Sequence, residues 1–168
     1  MDNYLMLDGK KYELSPELAN ALLSCVEPEP QEKSPFERGE IRSLYYYITE
    51  TGIVWSFTED RDGGDDMRYA VANYCTDKSL MQQRAMHENL NRLLWRYSEE
   101  HGGDSREWDG RAHYYICFSK MNRLKYEVYP NDNFCIQGVI YFKDEETAEA
   151  AIEDIVKPFI SAHPDFVW

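Results

Sequence analysis

A chain of 168 residues with a formal net charge of −13 is long enough to bury a core, and its composition is that of a globular protein. The negative charge repels phosphate backbones and disfavours direct electrostatic binding to DNA or RNA. No apolar run reaches the roughly 20 residues that cross a bilayer, and the first residues lack the layout of a signal peptide. We therefore expect a cytoplasmic protein without membrane contact.

Residues 1–27 predict a small unit made of a β-hairpin and a helix. Asp8 and Gly9 separate two short apolar runs, which is typical of a tight hairpin turn. Ser15 suits the N-cap of a helix, and Pro16 suits its first position. Residues 28–42 combine prolines, glycine and charges of both signs, so we expect an extended linker after this unit.

A first βββα unit is predicted over residues 43–103. Apolar runs at 45–48 and 53–57 flank a short turn, as in a hairpin, and residues 68–74 alternate aromatic and smaller side chains like a third strand. Asp77 then predicts the N-cap of a long helix. The apolar residues of that helix recur at spacings of three and four, and we expect it to end at Gly102 and Gly103.

A second βββα unit is predicted over residues 104–168. Its strands are expected at 114–118, 124–129 and 136–142, before a helix capped by Asp144 that Pro158 kinks or ends. The caps Asp77 and Asp144 are 67 positions apart, as are Tyr74 and Tyr141. The fold class is therefore predicted as α+β, with internally duplicated βββα units whose antiparallel strands form one sheet or two facing sheets.

A candidate interaction surface follows from the distribution of charge. Between Glu127 and Asp165 the chain holds nine acidic residues against two lysines, and residues 59–66 form a second acidic cluster. Arginines of the long helix give it a basic edge, unless they pair with carboxylates of the chain, as Arg92 would with Glu88 four residues earlier. The surface comprises Glu59, Asp60, Asp62, Asp65, Asp66, Arg92, Arg96, Glu145, Glu146 and Glu149.

The acidic cluster at 59–66 also raises the question of calcium, because carboxylates around a Gly-Gly turn are hard oxygen ligands. Its spacing does not fit an EF-hand, so we expect a solvated loop without a metal. The four cysteines are far apart and contain no Cys-x-x-Cys pair, which favours buried free thiols over a metal or disulfide set. The histidines fit no metal-ligand spacing and no nucleophile motif, so we expect neither a cofactor nor enzymatic activity.

Aromatic residues crowd the first predicted hairpin. Tyr45, Tyr46 and Tyr47, with Trp55 on the partner strand, form either a platform on which bases stack or part of the core. Lys and Arg are scarce nearby, which favours packing. A sheet of duplicated halves also leaves an edge strand able to pair with another copy, so the oligomeric state stays open.

Three stretches resemble a family of small proteins that phages, prophages and other mobile elements of gut Firmicutes encode. They are SPFERGE followed by LYYYI, then ANYCTDKSLMQQRAMHENLNRLLWRYSEEHGGD, and the ending IQGVIYFKDEETAEAAIEDIVKPFISAHPDFVW. The chain differs from the family pattern at Ala72, where glycine commonly precedes Asn73, and at Cys75, where phenylalanine is common. The resemblance implies a mobile-element origin and assigns no functional residues.

These observations lead to two functional hypotheses. The first is a non-enzymatic interaction protein that resembles anti-CRISPR proteins in size and acidity, and whose acids occupy the basic cleft of a host or competing protein, such as a nuclease. The second is a nucleic-acid-associated module that uses the strand aromatics and the helix arginines.

Overall fold

The computed structural model describes residues 4–25, 33–103, 112–119, 125–131 and 135–168. The chain is α+β with small antiparallel sheets, and it divides into two compact units, Met1–Ser34 and Pro35–Trp168. In the first unit, strands β1 (Tyr4–Leu7) and β2 (Lys10–Glu13) pair across a turn at Asp8 and Gly9, where φ is 49° and 75°. Helix α1 (Pro16–Cys25) follows, and the Ser15 hydroxyl accepts a hydrogen bond from the backbone N–H of Leu18.

The second unit opens with a hairpin and a pair of helices. Strands β3 (Leu44–Ile48) and β4 (Val54–Thr58) are antiparallel, and they precede helices α2 (Gly63–Ala70) and α3 (Lys78–Glu100). The carboxylate of Asp77 accepts hydrogen bonds from the first free N–H groups of α3, which confirms the predicted cap. The C-cap of α3 is His101, which precedes Gly102 and Gly103, and both glycines have positive φ.

The strand predicted at residues 68–74 is wrong, because α2 occupies its first three residues and a turn follows at 71–72. Asp62 accepts a hydrogen bond from the backbone N–H of Asp65, while the Asp65 carboxylate bonds back to the N–H of Asp62. This capping box begins a helix and outweighs the strand propensity of the aromatic residues after it. The strand character that remains is a single antiparallel bridge between Cys75 and Tyr46.

The C-terminal half contains a three-stranded sheet in the order β6-β5-β7, separate from the β3-β4 pair. Its strands are β5 (His113–Ser119), β6 (Lys125–Asn131) and β7 (Tyr141–Phe142). The prediction of a strand from residue 136 onward is wrong for its first part. A turn closes there, with the N–H of Val139 donating to the carbonyl of Ile136, because Gly138 takes a φ of 82°.

The cap predicted at Asp144 is confirmed in the last helical segment. This segment continues past Pro158 and does not end there. Helix α4 (Glu145–Ala151) passes through one π-helical turn (Ile152–Val156) into α5 (Lys157–Ala162). Asp144 accepts a hydrogen bond of 2.8 Å from the backbone N–H of Thr147. Proline lacks the N–H that would bond four residues back and its ring crowds that carbonyl, and the wider turn before it relieves both problems.

Two hydrophobic clusters form the core of the second unit. The larger cluster packs α3 against the three-stranded sheet and α4, with Leu90, Leu94 and Phe142 at its centre. The smaller packs the helix-facing side of β3 against the start of α3. The C-terminal aromatics are docked, since Trp168 packs against Tyr126 with ring centroids 5.1 Å apart. Among the described residues, every helix falls short of the length or the apolarity of a membrane span.

Candidate functional site

A buried charge network joins the segment before β3 to the turn between β4 and α2. We define it by Arg38, Tyr45, Glu59, Asp65 and Arg68. The side chains of Glu59 and Asp65 are fully buried, so the expectation of a solvated loop at 59–66 is wrong for these two residues. Burying a carboxylate is costly unless cations and hydrogen-bond donors surround it, and both are present here.

Glu59 is held by a two-pronged contact from Arg38. The Nε and Nη2 atoms of Arg38 lie 3.2 and 2.9 Å from the two carboxylate oxygens of Glu59. The backbone N–H of Arg61 adds a third hydrogen bond at 3.0 Å. The hydrogen bonds from Arg38 lower the pKa of Glu59 against the opposing effect of burial, so the carboxylate is ionised at neutral pH.

Asp65 is the second buried anion of the network. Burial raises its pKa, but hydrogen bonds from the Tyr45 hydroxyl, at 2.6 Å, and from the backbone N–H groups of Asp60 and Asp62 outweigh burial and lower it. Nη1 of Arg68 lies 2.7 Å from the Tyr45 hydroxyl oxygen and 3.6 Å from Asp65. Burial, followed by the hydrogen bond to Asp65, raises the pKa of Tyr45 to about 12.

An aromatic face lies on the side of the β3-β4 hairpin that points away from α3. The register pairs Tyr47 with Trp55 and Tyr45 with Phe57, and the guanidinium of Arg68 lies 4.2 Å from the ring centroid of Tyr47 and 4.9 Å from that of Phe57. We define the aromatic face by Tyr47, Trp55, Phe57 and Arg68. Trp55 is its most exposed ring, with 59% of its surface accessible.

The packing role that the sequence favours for the aromatic residues of the first hairpin is confirmed for Tyr45 and Tyr46. Tyr45 is fully buried and stacks on Tyr74, with ring centroids 4.2 Å apart. Tyr46 points to the opposite side of the hairpin and packs against the smaller cluster under α3. Tyr47 and Trp55 remain on the aromatic face, where Phe57 and Arg68 join them.

The remaining predicted surface residues are divided between distant parts of the sequence. Asp60, Asp62 and Asp66 are exposed beside the buried network, where Asp62 caps α2 and Asp66 pairs with Arg38 at 2.7 Å. Glu145, Glu146 and Glu149 are exposed on α4. None of the described hydrogen bonds or ion pairs links the two groups of acids.

The two arginines of α3 that belong to the predicted surface, Arg92 and Arg96, are exposed. Arg92 lies 3.6 Å from Glu88, one helical turn before it, which confirms the expected pairing, and Glu88 also pairs with Arg84 at 2.8 Å. Arg96 is one turn further along the same helix and is exposed. These arginines are not part of the aromatic face, whose cation is Arg68.

The α4 carboxylates border a groove of about 860 Å³. Its lining includes Tyr126 of β6 with Glu146, Glu149 and Glu153. Within the described part of the chain, Glu145, Glu146 and Glu149 have no hydrogen bond or ion pair from their side chains. These three carboxylates are therefore free to meet a cation from another molecule.

Histidines and cysteines form no reactive cluster in the parts of the chain that the structure describes. The rings of His101 and His163 contact carbonyls one turn back in their helices, at 2.8 and 2.7 Å. No described group of three or more His, Cys, Asp or Glu side chains is arranged to hold a metal ion. Cys75 is buried, but Cys135 is exposed, so the prediction of buried thiols is wrong there; the side chain of Cys25 lies outside the described residues.

Sequence reasoning missed Arg38 and Arg68, which form ion pairs with acids at 59–66 and so leave fewer of them available to a partner. The spacing of Asp62 and Asp65 in a capping box was the available signal for α2, but the partner of Glu59 is 21 positions earlier and no local pattern indicates it. No family model, curated protein or solved structure matches this chain.

Proposed function

We propose that this chain is a non-enzymatic, acidic interaction protein that binds a basic surface through α4. The observation that supports this function is the contrast between the two groups of acids. Glu59, Asp65 and Asp66 are engaged by arginines of the chain itself, whereas the carboxylates of α4 are exposed and have no partner among the residues that the structure describes. The free carboxylates lie beside a groove with an aromatic residue, Tyr126, in its lining.

A partner that fits this surface carries clustered Lys and Arg side chains, as the nucleic-acid-binding cleft of a nuclease does. A chain of net charge −13 attracts such a cleft over a distance and speeds encounter with it. Binding there would occupy the place of phosphates, so the protein would compete with nucleic acid. Together with the mobile-element resemblance, this makes inhibition of a host defence protein, as by anti-CRISPR proteins, the function we propose.

The test uses a triple variant, Glu145→Gln, Glu146→Gln and Glu149→Gln, which keeps side-chain shape and removes three charges. Its control is Glu50→Gln, Asp60→Asn and Glu100→Gln, which removes the same charge from exposed sites elsewhere. Proteins captured from the native host by the wild type should include a nucleic-acid-handling protein. The α4 variant should lose that partner by about tenfold or more, and the control should keep it.

Two further readouts decide whether the captured protein is the right kind. Binding should weaken as salt is raised, because charge attraction carries it. Added DNA or RNA should displace the chain from its partner. Capture of no nucleic-acid-handling protein, or a complex that neither salt nor nucleic acid disturbs, contradicts the proposed function.

A second candidate function is a nucleic-acid-associated module. The aromatic face supports it with fewer than the four aromatic residues that the sequence indicates, since only Tyr47 and Trp55 of those four lie on this face. Trp55 and Phe57 are exposed in line with Tyr47, and Arg68 supplies the cation that base stacking commonly uses. Fluorescence anisotropy with single-stranded oligonucleotides at low salt tests it, with Trp55→Ala as the variant. No change in anisotropy for the wild type excludes this candidate.

We also propose that the second unit arose by internal duplication. The caps Asp77 and Asp144 and the helix starts Lys78 and Glu145 keep the same shift of 67 positions. The residues two positions before those caps, Cys75 and Phe142, both pair with the first strand of their own hairpin. In this view α2 is an addition to the first copy.

A further inference from the structure

The β3-β4 sheet has one closed edge and one open edge. On the β3 side, the backbone N–H of Tyr46 donates to the carbonyl of Cys75 at 2.7 Å, and the return bond is 3.0 Å. The side-chain amide of Asn73 bonds both the N–H and the carbonyl of Ile48, each at 2.8 Å, and so takes the place of a neighbouring strand. The chain therefore completes the hydrogen bonding of β3 at Tyr46 and Ile48 from within.

The β4 side has no such completion. Tyr46 and Ile48 direct their backbone groups away from β4, so their register partners Ser56 and Val54 direct theirs away from β3. Thr58 has the same orientation because the pattern repeats every second residue. In the described part of the chain, the N–H and carbonyl groups of these three residues have no hydrogen-bond partner.

The sequence of β4 does nothing to protect this edge. Exposed edge strands usually carry a Lys, another charge or a proline that prevents pairing with another chain. The edge strand of the other sheet, β6, has Lys125, Glu127 and Pro130 within seven residues. Strand β4 reads VWSFT and carries neither charge nor proline, although the chain as a whole has a net charge of −13.

The open edge is complementary to itself. A twofold axis at Ser56 would place Ser56 opposite its own copy and Val54 opposite Thr58 of the partner, so all three outward-facing residues would pair. Such a strand pair makes about six interchain hydrogen bonds. The same axis places Trp55 opposite Phe57 of the partner twice, at the closer, non-hydrogen-bonded positions where aromatic pairs stabilise a sheet.

We propose that β4 is a dimerisation strand, which pairs antiparallel with β4 of a second copy to form a four-stranded sheet. The aromatic face then runs unbroken across both copies. The uncharged strand suits a second copy better than a cationic peptide, which would find no carboxylate on β4 itself. Because two copies of charge −13 repel each other, the dimer should tighten as salt is raised, which is opposite to binding through α4.

The test compares two tryptophan variants of the full chain in analytical ultracentrifugation. Trp55 and Trp95 are 59% and 57% exposed, but Trp95 lies on α3. Trp55→Lys should weaken the dimer by about tenfold or more, whereas Trp95→Lys should leave its dissociation constant within about twofold. A second edge variant, Ser56→Pro, removes an outward N–H without removing a bond to β3, and it should have the same effect as Trp55→Lys.

Hydrogen exchange gives the location independently of the variants. The amides of Val54, Ser56 and Thr58 should become protected as protein concentration rises, while those of β6 should not change. The proposal is overturned by a wild type that stays monomeric at high concentration and high salt. It is equally overturned by a dimer that both Trp55→Lys and Ser56→Pro leave intact while both variants retain the wild-type circular dichroism spectrum.

Discussion

The two halves of the second unit begin their long helices in the same way and stabilise their sheets in different ways. The half that contains β3 and β4 has a small apolar cluster beside a network of buried charges. The half that contains β5, β6 and β7 has a large cluster of aliphatic and aromatic side chains, to which Phe166 and Trp168 of the C-terminal segment contribute.

This difference shows what α2 does to the hairpin it follows. In the C-terminal half, the sheet has a third strand and the helices pack against it, so apolar contacts are enough to stabilise it. In the other half, one residue bridges to β3, and α2 brings Asp65 and Arg68 against Tyr45 on the far face of the hairpin. Ion pairs then replace apolar packing, which makes this half sensitive to loss of any single charged partner.

The largest effect is expected in the apolar half, from Phe142→Ala. Phe142 is 1% exposed at the centre of the larger cluster, so its removal leaves a cavity and should cost about 4 kcal/mol of unfolding free energy. Ile48→Ala in the smaller cluster should cost about 2–3 kcal/mol. Chemical denaturation measures both, and a greater loss for Ile48→Ala would reverse our ranking of the two clusters.

The next effect is expected in the charged half, from Glu59→Gln. The neutral side chain keeps its shape but leaves Arg38 without its buried counter-charge, and we expect a loss of about 3 kcal/mol. Asp66→Asn removes the other carboxylate that pairs with Arg38. The Asp66 side chain is 61% exposed, so this variant should change stability by about 0.5 kcal/mol or less. Equal losses from the two variants would show that burial of Glu59 does not matter.

The pH dependence of stability sharpens the same comparison. The pKa values of Glu59 and Asp65 are lowered in the folded protein from ordinary values of 4.5 and 3.8. As pH falls below these values the unfolded chain binds protons first, so the stability from both carboxylates is present near neutral pH and is lost in acid. Denaturation midpoints of the wild type should therefore fall more steeply below about pH 5 than those of Glu59→Gln.

A smaller loss is expected from Tyr45→Phe. The hydroxyl donates to Asp65 and accepts from Arg68, and its removal leaves Asp65 with one hydrogen bond fewer in a buried site. We expect a cost of about 1–2 kcal/mol. The matched control is Tyr46→Phe, whose hydroxyl has no hydrogen bond among the described contacts, and it should stay within about 0.5 kcal/mol of wild type. An equal cost in the control would show that the hydrogen bonds of the Tyr45 hydroxyl do not explain the loss.

The smallest effect is a gain, from Ala72→Gly. Ala72 has a φ of 56°, in the left-handed region that glycine adopts without strain. We expect stabilisation of up to about 1 kcal/mol. Ala70→Gly, at the last residue of α2, should instead destabilise by about 0.5–1 kcal/mol. A loss of stability in Ala72→Gly would show that the turn does not strain alanine.

The sequence predicts helices and hairpins here wherever a local signal governs them. Asp77 and Asp144 cap their helices because a carboxylate meets N–H groups only two or three residues away. The same local chemistry at Asp62 and Asp65 begins α2, and reading residues 68–74 as a strand neglected that signal in favour of β-propensity. Turn formation at Gly138 likewise shortened a predicted strand to Tyr141–Phe142.

What the sequence by itself determined is the α+β class, the hairpins, both helix caps and the uncharged composition of β4. Tertiary structure alone decided which acids are available to a partner, because Glu59 meets Arg38 across 21 residues and Tyr45 meets Asp65 across 20. It also decided which edge of the hairpin stays open, since Asn73 and Cys75, which follow α2 in the sequence, hydrogen-bond to the outer edge of β3. The physical reason is that pairing and burial depend on contacts between distant segments, whereas caps and turns need only neighbours.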